Sequence, residues 1–248
     1  MTLDSPSPAP MRQLPLPLAI APEPSFDNFL PGANEAVLAH LRSLVGPMTG
    51  ERTPPEGAAV LPPVYLWGPA GSGKTHLLRA LCRAVELAGG ATRTIADADP
   101  VGEPASTTAP RLVTIDGCDA LGEPAQALAF RAFVDAASSG TTRIVAAGRV
   151  PPVDLALRED LRSRLGWGPV FALAPLADAQ TRDALQREAT RRGIVLGDGV
   201  LDHLLTRFAR DLKHLMALLD RLDRYALAQS RGATLPLLRQ MLGDEEAR

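Results

Sequence analysis

The sequence predicts an α/β protein, a parallel sheet flanked by helices and followed by a small all-helical domain. Three observations lead there. Short apolar runs of strand length alternate with stretches of helical period between residues 64 and 173, the pattern of βαβ units. From Asp178 onward only helical periodicity appears. Between the first strand and the first long helix lies GPAGSGKT, residues 68–75, a turn whose glycines and lysine suit phosphate.

Taken in order, residues 1–24 are rich in Pro and Ser and carry no period, which predicts an extended, unfolded arm. Within it Gln13, Leu14, Leu16 and Leu18 alternate with prolines that favour polyproline geometry, a shape ready for a groove on another protein. On the residues alone, a tail with no partner is the plainer reading. Residues 34–48 read as a helix with Val37, Leu38, Leu41, Leu44 and Val45 on one stripe. A proline-heavy linker, 53–63, leads to a strand at 64–67, and the helix from Lys74 ends at Gly89-Gly90. A strand at 91–96 follows. Residues 97–110 are too rich in Pro, Gly, Ser and Thr for a helix, although parallel strands usually need a crossover of about a dozen residues. The run 112–115 is a buried strand ending in Asp116. Then come a helix at 124–138, a strand at 142–147, a short helix at 157–165 and a last strand at 170–173. Helices at 181–192, 199–209, 211–228 and 234–242 complete the chain. The expected division is an arm at 1–24, an α/β domain at 25–175 and a helical lid at 176–248.

The loop explains its own spelling. Gly68, Pro69, Ala70, Gly71, Ser72 and Gly73 let backbone N–H groups close around a phosphate, Lys74 adds a mobile cation, and Thr75 offers a hydroxyl to Mg²⁺. ADP or ATP with Mg²⁺ is the expected cofactor. Asp116 stands at the carboxyl end of its strand, where open α/β sheets place ligands, and is the carboxylate expected on the metal side.

Composition excludes several classes. The chain has 248 residues, 46% of them apolar, and a formal charge of −2. That balance argues against a broad DNA-wrapping surface, which needs clustered Lys and Arg. Cys82 and Cys118 lack metal or disulfide spacing, and His40, His76, His203 and His214 are scattered without ligand-spaced neighbours. No run of eighteen apolar residues and no signal-peptide pattern occurs, so a cytoplasmic protein with no membrane partner is expected.

Over residues 13–243 the strings QLPLPL, SFDNFLPG, GPAGSGKT, LVTIDG, LRSRLGWG and ARDLKHLMALLDRLDRYAL stand in the order found in the DnaA/Hda family of AAA+ proteins, which this chain resembles. The resemblance implies an AAA+ P-loop domain with a helical lid. It implies a negative regulator of replication initiation that docks through Gln13, Leu14, Leu16 and Leu18 on the sliding clamp, the beta subunit of DNA polymerase III. It further implies an arginine finger, Arg164, offered across an interface to ATP on DnaA. Arg162 is a less well aligned rival. Lys213 falls where the family usually has a nucleotide-touching lid arginine, keeping the charge but losing the planar fork. The site would reach DNA only through the clamp, near the nucleoid, and a homo-oligomer is compatible with the sequence. The chain ends a few residues past the last lid helix, with no helix-turn-helix reader expected. Two departures point to slow hydrolysis of its own ATP. Gly117 follows Asp116 where AAA+ enzymes usually carry an acid, and Ala146-Ala147-Gly148-Arg149 lacks the family's polar water-positioning group. Asp119 can replace that acid only if the backbone curls back; otherwise it caps the loop before the next helix. The alternative is an AAA+ loader or remodeller with its own ATP turnover.

Overall fold

The computed structural model describes residues 23–46, 61–96, 111–208 and 211–246, which cluster into two compact units, 23–180 and 181–246. The first unit holds a five-stranded sheet. Its strands are β1 (Val64–Trp67), β2 (Thr92–Ile95), β3 (Leu112–Ile115), β4 (Arg143–Gly148) and β5 (Val170–Ala172), all parallel, in the order β2-β3-β4-β1-β5. The first strand is interior, between β4 and β5, because the chain winds from β1 to the far edge, returns through β3 and β4, and then crosses to β5 on the other side. That reversal puts the end of β1 at a topological switch point, where α/β sheets bind ligands.

Alternation along each strand feeds two cores. Val64 and Leu66 of β1, with Val145 and Ala147 of β4, face α1 (Glu35–Val45) and α2 (Lys74–Leu87). Tyr65, Val113, Ile115, Ile144 and Ala146 face the other way, against α3 (Glu123–Ser139) and α4 (Glu159–Leu165). With both faces covered, β1 and β3 are buried along almost their whole length rather than alternating between core and solvent. Two polar exceptions, Thr114 and Tyr65, are satisfied. Thr114, 1% exposed, has its hydroxyl 2.9 Å from that of Thr94 and 3.6 Å from the Cys82 sulfur. The buried Tyr65 hydroxyl donates to the Val150 carbonyl at 3.0 Å. A Cβ at Gly148 would lie 2.1 Å from that Tyr65 oxygen, so the strand end leaves space for the phenol only by lacking a side chain there.

The segment before α1 is sewn to the sheet. Asn34, buried at the start of α1, donates its amide to the Ala174 carbonyl at 2.8 Å and accepts from the Ala174 N–H at 2.9 Å. A carboxamide thus stands in for a strand residue beyond β5.

The second unit packs α6 (Val200–Arg207), α7 (Leu212–Ala228), α8 (Leu235–Glu246) and most of α5 (Asp178–Arg191) around Leu185, Leu204, Leu215, Leu219, Leu222 and Leu238. Asp211 caps α7 by accepting the Lys213 N–H at 3.1 Å. An ionic knot joins its helices: Arg191 reaches Glu188 at 2.6 Å, and Arg192 pairs with both Glu188 and Asp220. Those hydrogen bonds, Arg191 first, hold the Glu188 carboxyl down at about 2 although burial opposes them.

Element boundaries shift slightly from the sequence expectation. The helix expected over 34–48 runs to Val45 within the described residues, and the one expected to begin at 181 starts at Asp178. The arm at 1–22 and the connection at 97–110 lie outside the described residues.

Candidate functional site

The phosphate loop joins β1 to α2 at the switch point. Gly73 is its hinge: φ is 93°, a left-handed value, and a Cβ there would lie 2.6 Å from the Phe29 ring. Phe29 comes from the segment before α1 and stacks obliquely on His76 at 5.4 Å between ring centroids. The His76 Nε2 in turn lies 3.0 Å from the Ser25 carbonyl. Residues 25–29 therefore brace the outside of the loop, a contact between distant segments that the motif does not announce.

Inside the loop Lys74 curls over its own backbone. Its ammonium donates to the Gly68 carbonyl at 2.7 Å, the Pro69 carbonyl at 2.8 Å and the Ser72 hydroxyl at 3.3 Å. Burial lowers its pKa, while the nearby charges of Asp116 and Asp119 pull it back up and Arg149 lowers it further. Those four groups consequently share one electrostatic neighbourhood. Thr75 donates its hydroxyl to Asp116 Oδ2 at 2.8 Å, which brings the two expected Mg²⁺-side groups together. The donor set fits a nucleotide: a glycine-built turn at the sheet switch point, a cation, and a hydroxyl paired with a carboxylate.

Asp119 corrects one sequence expectation. It does not cap the loop before α3. Gly117, at φ 68°, turns the chain into a short 3₁₀ turn, Cys118–Ala120, and the Asp119 carboxylate reaches back to β4. There its Oδ1 accepts the Arg149 N–H at 2.8 Å and its Oδ2 lies 3.4 Å from the Arg149 guanidinium. The backbone does curl back, but it delivers a carboxylate already bonded to a cation. Arg149, the last residue of the string read as lacking a water-positioning group, is the partner of that carboxylate. Cys118, buried beneath this turn, has its thiol pushed up to about 12, by burial first, so it is a packed apolar group.

The arginine candidates lie on α4. Arg164 is exposed and Arg162 is half-buried. Arg164 takes part in none of the ion pairs among the described residues, and its guanidinium carbon lies 5.1 Å from the centroid of Phe130 on α3. Arg158 lies over the same ring at 5.5 Å but is bonded to Asp160 at 2.7 Å. Lys213 belongs to the second unit, exposed in the first turn of α7. Gln13, Leu14, Leu16 and Leu18 lie outside the described residues.

Comparison with known proteins supplies the rest. Residues 178–242 match the family described as Hda, lid domain. Among solved structures the chain is similar to domain III of the Thermotoga maritima replication initiation protein DnaA, at 20% identity over 91% of this chain and 98% of that one, with a TM-score of 0.67. It is also similar to AMPPCP-bound DnaA from Aquifex aeolicus, at 18% identity over 82% of this chain and 65% of that one, with a TM-score of 0.63. The Thermotoga maritima RuvB Holliday junction branch migration motor aligns at 15% identity over 89% of this chain and 71% of that one, with a TM-score of 0.60. Likeness at these identities concerns the fold.

Proposed function

Starting from an AAA+ protein related to Hda and DnaA, we propose a nucleotide-bound negative regulator of replication initiation that lends Arg164 to ATP held by a neighbouring DnaA. The observation that carries this reading is the state of Arg164: an exposed guanidinium on a short helix, with no ion-pair partner among the described residues. A cation facing a γ-phosphate stabilises the charge that develops in phosphoryl transfer, an effect worth about 10³ to 10⁵ in rate.

The chain's own loop serves as a clasp. Residues 68–73 and Lys74 would hold the phosphates of ADP or ATP, and Thr75 with Asp116 would hold Mg²⁺, which when bound neutralises phosphate charge. The AMPPCP in the Aquifex aeolicus DnaA structure supports an adenine nucleotide. Hydrolysis there is expected to be slow, because Gly117 brings no acid and Asp119 is bonded to Arg149. Residues 13–18 would tether the molecule to the DNA polymerase III sliding clamp, placing it on the nucleoid and raising its local concentration without new contacts. Lys213 would touch the nucleotide from the lid.

The runner-up, an ATPase acting as a loader or remodeller, draws on the intact Thr75–Asp116 pair. One experiment divides them. ATP turnover is measured for the chain alone, and for DnaA with clamp-loaded DNA plus either the wild-type chain or Arg164→Ala. The expected outcome is negligible turnover alone, strong stimulation of DnaA by the wild type and loss of at least about 100-fold of it with Arg164→Ala. Undiminished stimulation by Arg164→Ala refutes the assigned role, and brisk turnover by the chain alone selects the motor.

A further inference from the structure

Arg164 is a long, exposed side chain, and such a group samples many rotamers unless something restrains it. The usual restraint, a carboxylate, would hold the guanidinium at the cost of neutralising the charge it must present. Here the restraint is an aromatic ring. The Arg164 guanidinium carbon lies 5.1 Å from the centroid of Phe130, inside the range of about 6 Å over which a ring face attracts a cation. A ring leaves the full charge in place and also leaves the N–H donors free at their edges. Phosphate oxygens bind those donors far more strongly than the ring binds the cation, so the contact yields when an anion arrives.

The neighbours make the choice of arginine specific. Arg158 shares the ring at 5.5 Å, but its guanidinium is bonded to Asp160 and its backbone N–H to the Gln126 side chain on α3 at 3.3 Å. Arg158 thus pins the start of α4 to α3. Arg162 has no contact with an aromatic ring among the described residues and is partly covered. Behind the ring, Ala129 and Phe133 of α3 are buried against Leu161 and Leu165 of α4, so the distance from Phe130 to Arg164 is set by a packed helix pair.

We infer that Phe130 is a positioning residue for the trans-acting arginine: its half-buried ring holds Arg164 extended and uncompensated, ready for an anionic phosphate on a partner molecule. This rests on the functional reading above. Phe130→Leu keeps an apolar group on α3 and removes the ring; Phe130→Tyr keeps the ring. With full-length protein in the DnaA assay, Phe130→Leu should lower maximal stimulation about three- to fivefold, on the order of 0.6–1 kcal/mol at 1.36 kcal/mol per tenfold, and leave the half-saturating concentration unchanged. Phe130→Tyr should restore it. A readout independent of DnaA is the proton resonance of the Arg164 Cδ group, shifted upfield by ring current in the wild type and in Phe130→Tyr, and returned to its ordinary position in Phe130→Leu.

An unshifted Arg164 resonance in the wild type overturns the inference. So do full stimulation by Phe130→Leu, and equal losses in Phe130→Leu and Phe130→Tyr, which would mark a packing role only. Should Phe130→Leu be fully active while Arg164→Ala is inactive, this inference alone fails. If Arg164→Ala itself stimulates normally, the functional reading falls, and this one with it.

Discussion

Lys74 and Arg164 are cations of the same compact unit, held in opposite ways. Lys74 turns its ammonium inward onto three oxygens of its own loop, with Asp116 and Asp119 close enough to bias its charge. Arg164 is exposed, set against a ring and, among the described residues, paired with no acid. A compact ammonium on a flexible stem can exchange loop carbonyls for phosphate oxygens without moving the backbone, whereas a planar fork is shaped to meet oxygens presented from outside. The first arrangement suits retention of a ligand; the second suits presentation to another molecule.

That contrast can be broken most forcefully at Lys74. Lys74→Ala should weaken ADP binding by about 100-fold, roughly 2.7 kcal/mol, and remove most of the rise in melting temperature that nucleotide produces. The Arg164 resonance should stay as in the wild type. Tight nucleotide binding by Lys74→Ala would show that the inward cation is not the clasp.

A smaller effect tests the brace behind the loop. Gly73→Ala forces a side chain into a left-handed conformation and against the Phe29 ring, so it should cost about 2 kcal/mol in urea unfolding. Equal stability would mean that the segment carrying Phe29 yields freely, and the brace would lose its meaning.

The smallest concerns pH. Burial lowers the pKa of His76, against the opposing hydrogen bond to Ser25, and burial followed by the charge of Arg143 lowers that of His40. A folded-state value below the unfolded one, near 6.5, means that the unfolded chain binds more protons in acid. Stability is therefore full above about pH 6.5 and declines as pH falls through the imidazole range. His76→Gln should flatten that decline between pH 7 and 5 by less than about 1.4 kcal/mol per pH unit, the limit for one proton. An unchanged slope would place the proton-sensitive group elsewhere than beside the loop.

Much of this unit is legible in the sequence, for physical reasons that also mark where legibility stops. The eight residues from Gly68 to Thr75 have a fixed spelling because phosphate wrapping tolerates few alternatives, and a buried parallel strand must be apolar throughout, so the placements of β1, β3 and α2 follow. Helix ends are less legible, since apolar period marks the face of a helix and not its last bonded residue: the helix expected from 181 starts at Asp178. Contacts across the chain were not legible at all. Phe29 against Gly73 and Phe130 beneath Arg164 depend on which segment packs where: the string SFDNFLPG marks Phe29 without naming its contact, and Phe130 has no local pattern that distinguishes it from ordinary core. Asp119 was misread because its destination hangs on the left-handed turn at Gly117, and a glycine states only that such a turn is permitted. The pairing of Arg149 is not legible either, because its partner Asp119 lies thirty residues earlier in the chain.

The pair of hydrogen bonds between Asn34 and Ala174 has a consequence for how the protein is made. Its partners are 140 residues apart, so on a ribosome the first helix has to wait while nearly the whole α/β unit is synthesised before its anchor emerges. Strand β1 waits as well, because both its neighbours, β4 and β5, are translated after it. Such an arrangement favours a late, concerted collapse over stepwise growth from the amino end, and leaves the nascent apolar strand in need of shelter until the sheet can close around it.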